Sequence, residues 1–254
     1  MSVRRPRYSG LTPPHDPCHY EAKSAKGLPG RILAPGFVKL KGGGYVAQWA
    51  PTARSKVTGF NPAGDCKGNF MSYRYQPNNN CYNYACNIAT NSFAHPGRKH
   101  GVPLFGTNRR LTADSVITAA KADGLVELGR KGMKLPYVLR LLRKKQERGG
   151  LPDGHLVALL ISLADSKIRW KGDFHWVRCD EPSGRTWSQK DGPDQVTNFD
   201  FSGNVIRDPS RSNWTVNQGP RRHRRASSKA DEAFQTFYNF EAWMFVPFGK
   251  VTII

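Results

Sequence analysis

Apolar residues between positions 81 and 148 recur at helical spacing, and from position 154 onward they gather into runs of strand length. Ala85, Ile88, Ala89 and Phe93 predict a helix over 81–94. Asn79 or Asn80 is its cap, and His95-Pro96-Gly97 stops it. Val116, Ile117, Ala120 and Leu125 predict a second helix over 112–129, with Thr112 as cap and Asp114 in the first turn. Leu135 to Arg148 reads as a third helix, short and basic, closed by Gly149-Gly150. Gly154 to Leu163 is then a continuous apolar run. After the turn Ala164-Asp165-Ser166-Lys167, residues 168–179 form a second strand. After Glu181-Pro182-Ser183-Gly184, Arg185 to Lys190 form a third. A short hairpin on Phe201-Ser202-Gly203-Asn204 ends at Ile206, residues 208–230 read as a loop, and the aromatic stretch from Phe234 to Ile254 ends in strands. Helices first and an antiparallel meander afterwards predict an α+β domain.

Composition changes this picture mainly at the ends. Residues 1–70 are rich in Gly, Pro and basic residues and carry 11 Lys/Arg against 3 Asp/Glu. They predict an extended basic arm with short strands at Arg31-Ile32-Leu33 and Tyr45 to Trp49. The expected organisation is therefore an arm over 1–70, a domain over 71–210, and a basic loop with aromatic strands over 211–254 that pack on the domain. The formal net charge is +20. Residues 98–148 hold 13 Lys/Arg against 4 Asp/Glu, and Arg221, Arg222, Arg224 and Arg225 form a dense patch, a candidate polyanion-binding site. Expected partners are thus a polyanion or the other subunits of an assembly, beside any substrate.

Five cysteines at irregular spacing, with no C-x-x-C pair, predict neither a disulfide framework nor a zinc site, and no cofactor is expected. Pro14-His15-Asp16-Pro17-Cys18-His19 matches no zinc spacing either. No apolar stretch approaches the roughly 18 residues of a membrane span. The basic N-terminus lacks the apolar core of a signal peptide, so a cytoplasmic or phage-particle setting, or delivery by a non-classical route, is the expectation.

One pairing of residues suggests a chemistry. Cys81 opens a predicted helix and His175 stands on a predicted strand. A thiol at a helix N-terminus is favoured as thiolate, and an imidazole in reach can take and return the proton. First-turn N–H groups can hold an oxyanion, with Tyr75 and Gln76 as candidate further donors. Gln189, across one turn from His175, can orient the ring through its carbonyl oxygen, with Asp191 and Asn198 as alternatives.

This order resembles the papain-like superfamily, in particular the NlpC-type peptidases and the CHAP amidases. The motifs Asn80-Cys81-Tyr82-Asn83-Tyr84-Ala85, His175-Trp176-Val177-Arg178, Thr186-Trp187-Ser188-Gln189-Lys190 and Val196 to Gly203 also resemble a little-characterised group of bacterial and phage proteins. The resemblance covers residues 76–210. It implies a papain-like fold and a cysteine hydrolase that cleaves an amide bond, with a peptidoglycan peptide as substrate. That group has His where Gln189 stands, a departure that predicts weakened or lost catalysis. The rival expectation is a non-enzymatic component of a large assembly, such as a phage particle, with an inactive papain-like fold and basic docking arms. A toxin or effector that cleaves or deamidates proteins is a third.

Overall fold

The computed structural model describes residues 70, 78–105, 110–166, 170–192, 196–197, 200–202, 204–220 and 233–254, together with two short paired strands, β1 (Phe37–Lys39) and β2 (Tyr45–Ala47). The elements that follow in chain order are α1 (Cys81–Cys86), α2 (Ala113–Ala122), β3 (Val126–Arg130), α3 (Leu135–Glu147), β4 (Gly154–Ser162), β5 (Asp173–Cys179), β6 (Trp187–Lys190), β7 (Val196–Thr197), β8 (Thr215–Pro220), β9 (Ala233–Phe237) and β10 (Asn239–Pro247). Six strands form one sheet in the order β3-β10-β4-β5-β6-β7, every neighbouring pair antiparallel, while β8 and β9 pair separately. The α+β expectation holds: helices pack on an antiparallel sheet. Among the described residues no helix is long and apolar enough to cross a membrane.

Strand alternation divides the core into two. Val157, Leu159 and Ile161 of β4, Phe174 and Trp176 of β5, and Ala242, Met244 and Val246 of β10 face α1 and α2. Leu156, Ala158 and Leu160 of β4, Val177 and Cys179 of β5, and Trp243 and Phe245 of β10 face α3 and the loop residues Phe201, Trp214 and Tyr238. Burial on both faces explains why β4 reads as an unbroken apolar run rather than an alternating one.

Four segments depart from the sequence expectation, the first two for local reasons. The first helix is six residues long and does not reach 94. Asn87 adopts the left-handed conformation at φ 57°, and the Asn83 side chain then organises the following loop. Its Oδ1 accepts from Asn80 N and Ala94 N, and its Nδ2 donates to Ile88 O and Thr90 Oγ1. A side chain that competes so well for backbone groups ends a helix. Phe93, expected on the apolar stripe, is exposed. The second helix starts at its Thr112 cap as expected but stops at Ala122. Gly124, at φ +105°, turns the chain so closely against Lys250 O that a Cβ would lie 2.5 Å from it, and Leu125 leads into β3. The expected loop over 208–230 contains β8. The C-terminal segment also does more than pack on a finished domain: β10 sits between β3 and β4 in the middle of the sheet.

Candidate functional site

Asn80 sets Cys81 at the start of α1. Its Oδ1 accepts from the backbone N–H groups of Tyr82 and Asn83, its Nδ2 donates to Ala94 O, and Asn83 returns a bond to Asn80 N. Cys81 does open the helix, but two first-turn donors that could hold an oxyanion are already occupied by the cap. The sulfur is buried, and the thiol lies 3.9 Å from Phe174 O, to which it donates. Burial, then the Asp173 carboxylate, push the thiol well above its ordinary value, against a smaller lowering by the Trp176 backbone hydrogen bond. In this site burial outweighs the dipole of a two-turn helix.

His175 and Gln189 meet: His175 Nε2 lies 2.8 Å from Gln189 Oε1. The carbonyl oxygen can only accept, so Nε2 carries the proton. The pair is reached by strand register, since Val177 opposes Gln189 and His175 is the diagonal neighbour on that face. Both residues are buried, and the imidazole is ringed by Phe201 at 5.2 Å, Trp214 at 5.9 Å and Tyr238 at 6.1 Å between centroids.

The structure does not bring Cys81 to this imidazole. Phe174 and Trp176 point at α1, where Trp176 packs 5.3 Å from the Tyr82 ring. His175, one residue along the same strand, points to the α3 face among members of the other core. Successive side chains on a strand leave opposite faces, so β5 itself stands between the sulfur and the ring. Of the expected set Cys81, His175 and Gln189, the structure pairs His175 with Gln189 and sets the buried Cys81 thiol against the other face of β5. Of the alternative orienting residues, Asp191 directly follows β6. Tyr75, Gln76, Asn198 and the arginines Arg221, Arg222, Arg224 and Arg225 lie outside the described residues, as do His15, Cys18 and His19.

What the motifs assemble on the Cys81 face is a buried ionic network. Arg178 lies with its guanidinium 3.8 Å over the Tyr84 ring, and its Nε donates to Asp180 Oδ1 at 3.2 Å. Its Nη1 approaches Tyr84 O and Asn87 Oδ1, both at 3.4 Å. Ser188 Oγ donates to Asp180 Oδ1 at 2.8 Å and accepts from Tyr84 OH at 2.5 Å. Lys190 Nζ donates to Asn79 O and Gly192 O. Burial raises Asp180 above the usual carboxylate range, against the lowering by Arg178 and Ser188. This network clamps α1 to β5 and β6. Its signal was present in the sequence: Trp176 and Arg178, and Ser188 and Lys190, are two apart and so share a strand face.

Among the described residues no group of three or more His, Cys, Asp or Glu is gathered as a metal would require. One hollow, of about 590 Å³, is lined by Leu139, Leu142, Arg143, His155, Cys179 and Phe248 among others, and by neither Cys81 nor His175.

A comparison with curated proteins places this chain beside insoluble matrix shell protein 1 of Ruditapes philippinarum, 34% identical over 146 residues that span 57% of this chain and 74% of that protein. The chain belongs to the family of this shell protein. No family model matches the chain, and no solved structure matches it.

Proposed function

We propose that this protein is a non-catalytic structural component of a large, insoluble assembly, built on a papain-like arrangement of helix and sheet that lacks a working thiol–imidazole pair. The observation that carries this reading is the separation of Cys81 and His175 by β5, with the thiol buried against Phe174 O. A nucleophile needs a base within hydrogen-bond reach and a path for substrate. Here the base is bonded to Gln189 and enclosed by Phe201, Trp214 and Tyr238. The matrix named in the relative supports a role in a solid assembly, and the +20 charge supports docking on polyanionic partners in it.

The residues expected to perform hydrolysis serve the fold instead. Asn80 and Asn83 shape the α1 turn and its loop, Tyr84, Arg178, Asp180 and Ser188 fasten that turn to the sheet, and His175–Gln189 satisfy each other within the second core. The test is an amide-hydrolysis assay on peptide and peptidoglycan substrates with the full chain, Cys81→Ala and His175→Ala. All three proteins are expected to give the uncatalysed rate. Turnover by the natural chain that Cys81→Ala abolishes would overturn the reading and restore the hydrolase.

A further inference from the structure

A second hollow, of about 370 Å³, opens between residues 131–134, residues 210–212 and the start of β10. Lys131, Lys134 and Arg211 stand around it, all exposed. Trp214, Tyr238 and Phe240 line it at only 4%, 8% and 8% exposure. The polar ends of two of these rings are committed elsewhere: Trp214 Nε1 donates to Pro209 O and Tyr238 OH to Asp173 Oδ2. Ser210, Ser212 and Asn239 add polar groups to the lining, beside Gly132 and Met133. Ser210 Oγ donates to Asp208 Oδ1 and Ser212 Oγ to Asp208 O, which leaves each hydroxyl able to accept a bond. No acid lines the hollow. Three acids stand behind the lining: Asp208 and Asp173, whose carboxylates accept from Ser210 and from Tyr238 OH, and Glu241, whose Oε1 is 3.9 Å from Lys131 Nζ, a distance at which an exposed lysine is weakly held.

The basic character continues along α3. Lys134 is the N-cap of that helix, so the positive end of its dipole adds to the field at the hollow. Beyond it, Arg140, Lys144 and Arg148 recur every four residues, about 6 Å apart along the axis, all exposed. Arg140 lies 5.4 Å over the ring of Tyr137, which is 49% exposed. Glu147 is the one acid of α3.

From these features we infer that the hollow binds one unit of an anionic polysaccharide, whose following units run along the basic face of α3. Three cations suit a carboxylate or sulfate, and serine and asparagine groups suit sugar hydroxyls. Rings that show little more than an edge supply an apolar floor, but not the open faces on which nucleobases stack. The inference rests on the structural-component reading for its setting and on different residues for its geometry. A polysaccharide that holds the chain in place is the kind of partner an insoluble matrix provides.

The test is fluorescence anisotropy of the full chain with labelled polyuronate and sulfated oligosaccharides, and with a single-stranded oligonucleotide of equal charge. Binding of either saccharide is expected to weaken on the order of tenfold in the double variant Lys134→Glu/Arg211→Glu, and to be retained in Lys134→Arg/Arg211→Lys. The control Lys99→Glu/Lys121→Glu makes the same charge change near α2, on the far face of the sheet, and is expected to lose less than about twofold. Equal loss in the control, tighter binding of the oligonucleotide through the same residues, or no binding of either saccharide would each overturn the inference. Amide hydrolysis by the natural chain would refute the structural reading and leave this binding unchanged, so the two fail separately.

Discussion

At the scale of single residues, burial decides what the titratable side chains can do. His155 shows this most clearly. Its Nε2 donates to Ala85 O at 2.7 Å, and its ring is shut between β4 and α1. Burial, with Arg178 nearby, lowers its pKa to about 3, against the raising effect of the Ala85 bond. The unfolded chain takes up a proton near pH 6.5 and the folded chain does not until near the lowered value. Stability from this group is therefore complete above the unfolded value and lost as pH falls toward about 3. Urea unfolding at neutral and acid pH is expected to show the natural chain losing up to about 1.4 kcal/mol per pH unit in this window from His155 alone, and His155→Gln losing less. Equal slopes for the two proteins would contradict this. The same desolvation holds the Cys81 thiol protonated, which sequence spacing could not reveal.

At the scale of elements, the sequence was most informative where one residue type sets a boundary. Thr112 caps α2 with Ser115, Gly149-Gly150 follow α3, and the unbroken apolar run of β4 begins at Gly154 as expected. The end of α1 was illegible, because the Asn83 side chain draws on partners up to eleven residues away. The facing of His175 was partly legible: Phe174 and Trp176 flank it on the strand, and a strand that buries two large aromatics on one side must turn the residue between them to the other. Reading the helix-then-strand order without this parity put sulfur and imidazole together. Asn80 tests the element directly. Asn80→Ala removes the acceptor for Tyr82 N and Asn83 N and the donor to Ala94 O, and is expected to lower stability by about 2 kcal/mol in chemical denaturation. A change below about 0.5 kcal/mol would mean that the cap does not hold α1.

At the scale of the whole molecule, a two-faced sheet bears helices α1 and α2 on one side and α3 with a loop cluster on the other, and each side closes over residues that resembled catalytic ones. The C-terminal strand β10 runs through the middle, so the sheet is complete only when the last part of the chain has joined the first. On the proposed reading, the residues of the hydrolase-like motifs maintain a scaffold, and the basic surface is where its partners would dock. Cys81, Cys86 and Cys179 are all buried within that scaffold, so their thiols become reachable only when it opens. The most direct test is residue-by-residue alkylation of the native chain with iodoacetamide across about pH 6 to 9, followed by mass spectrometry. The structure predicts that Cys81 labels far more slowly than in the urea-unfolded chain at every pH, and gains label together with Cys86 and Cys179 as the fold opens. Selective labelling of Cys81 ahead of those two, with a midpoint below the free-thiol value of about 8.5, would contradict the separation of sulfur and imidazole and return the protein to the cysteine hydrolases.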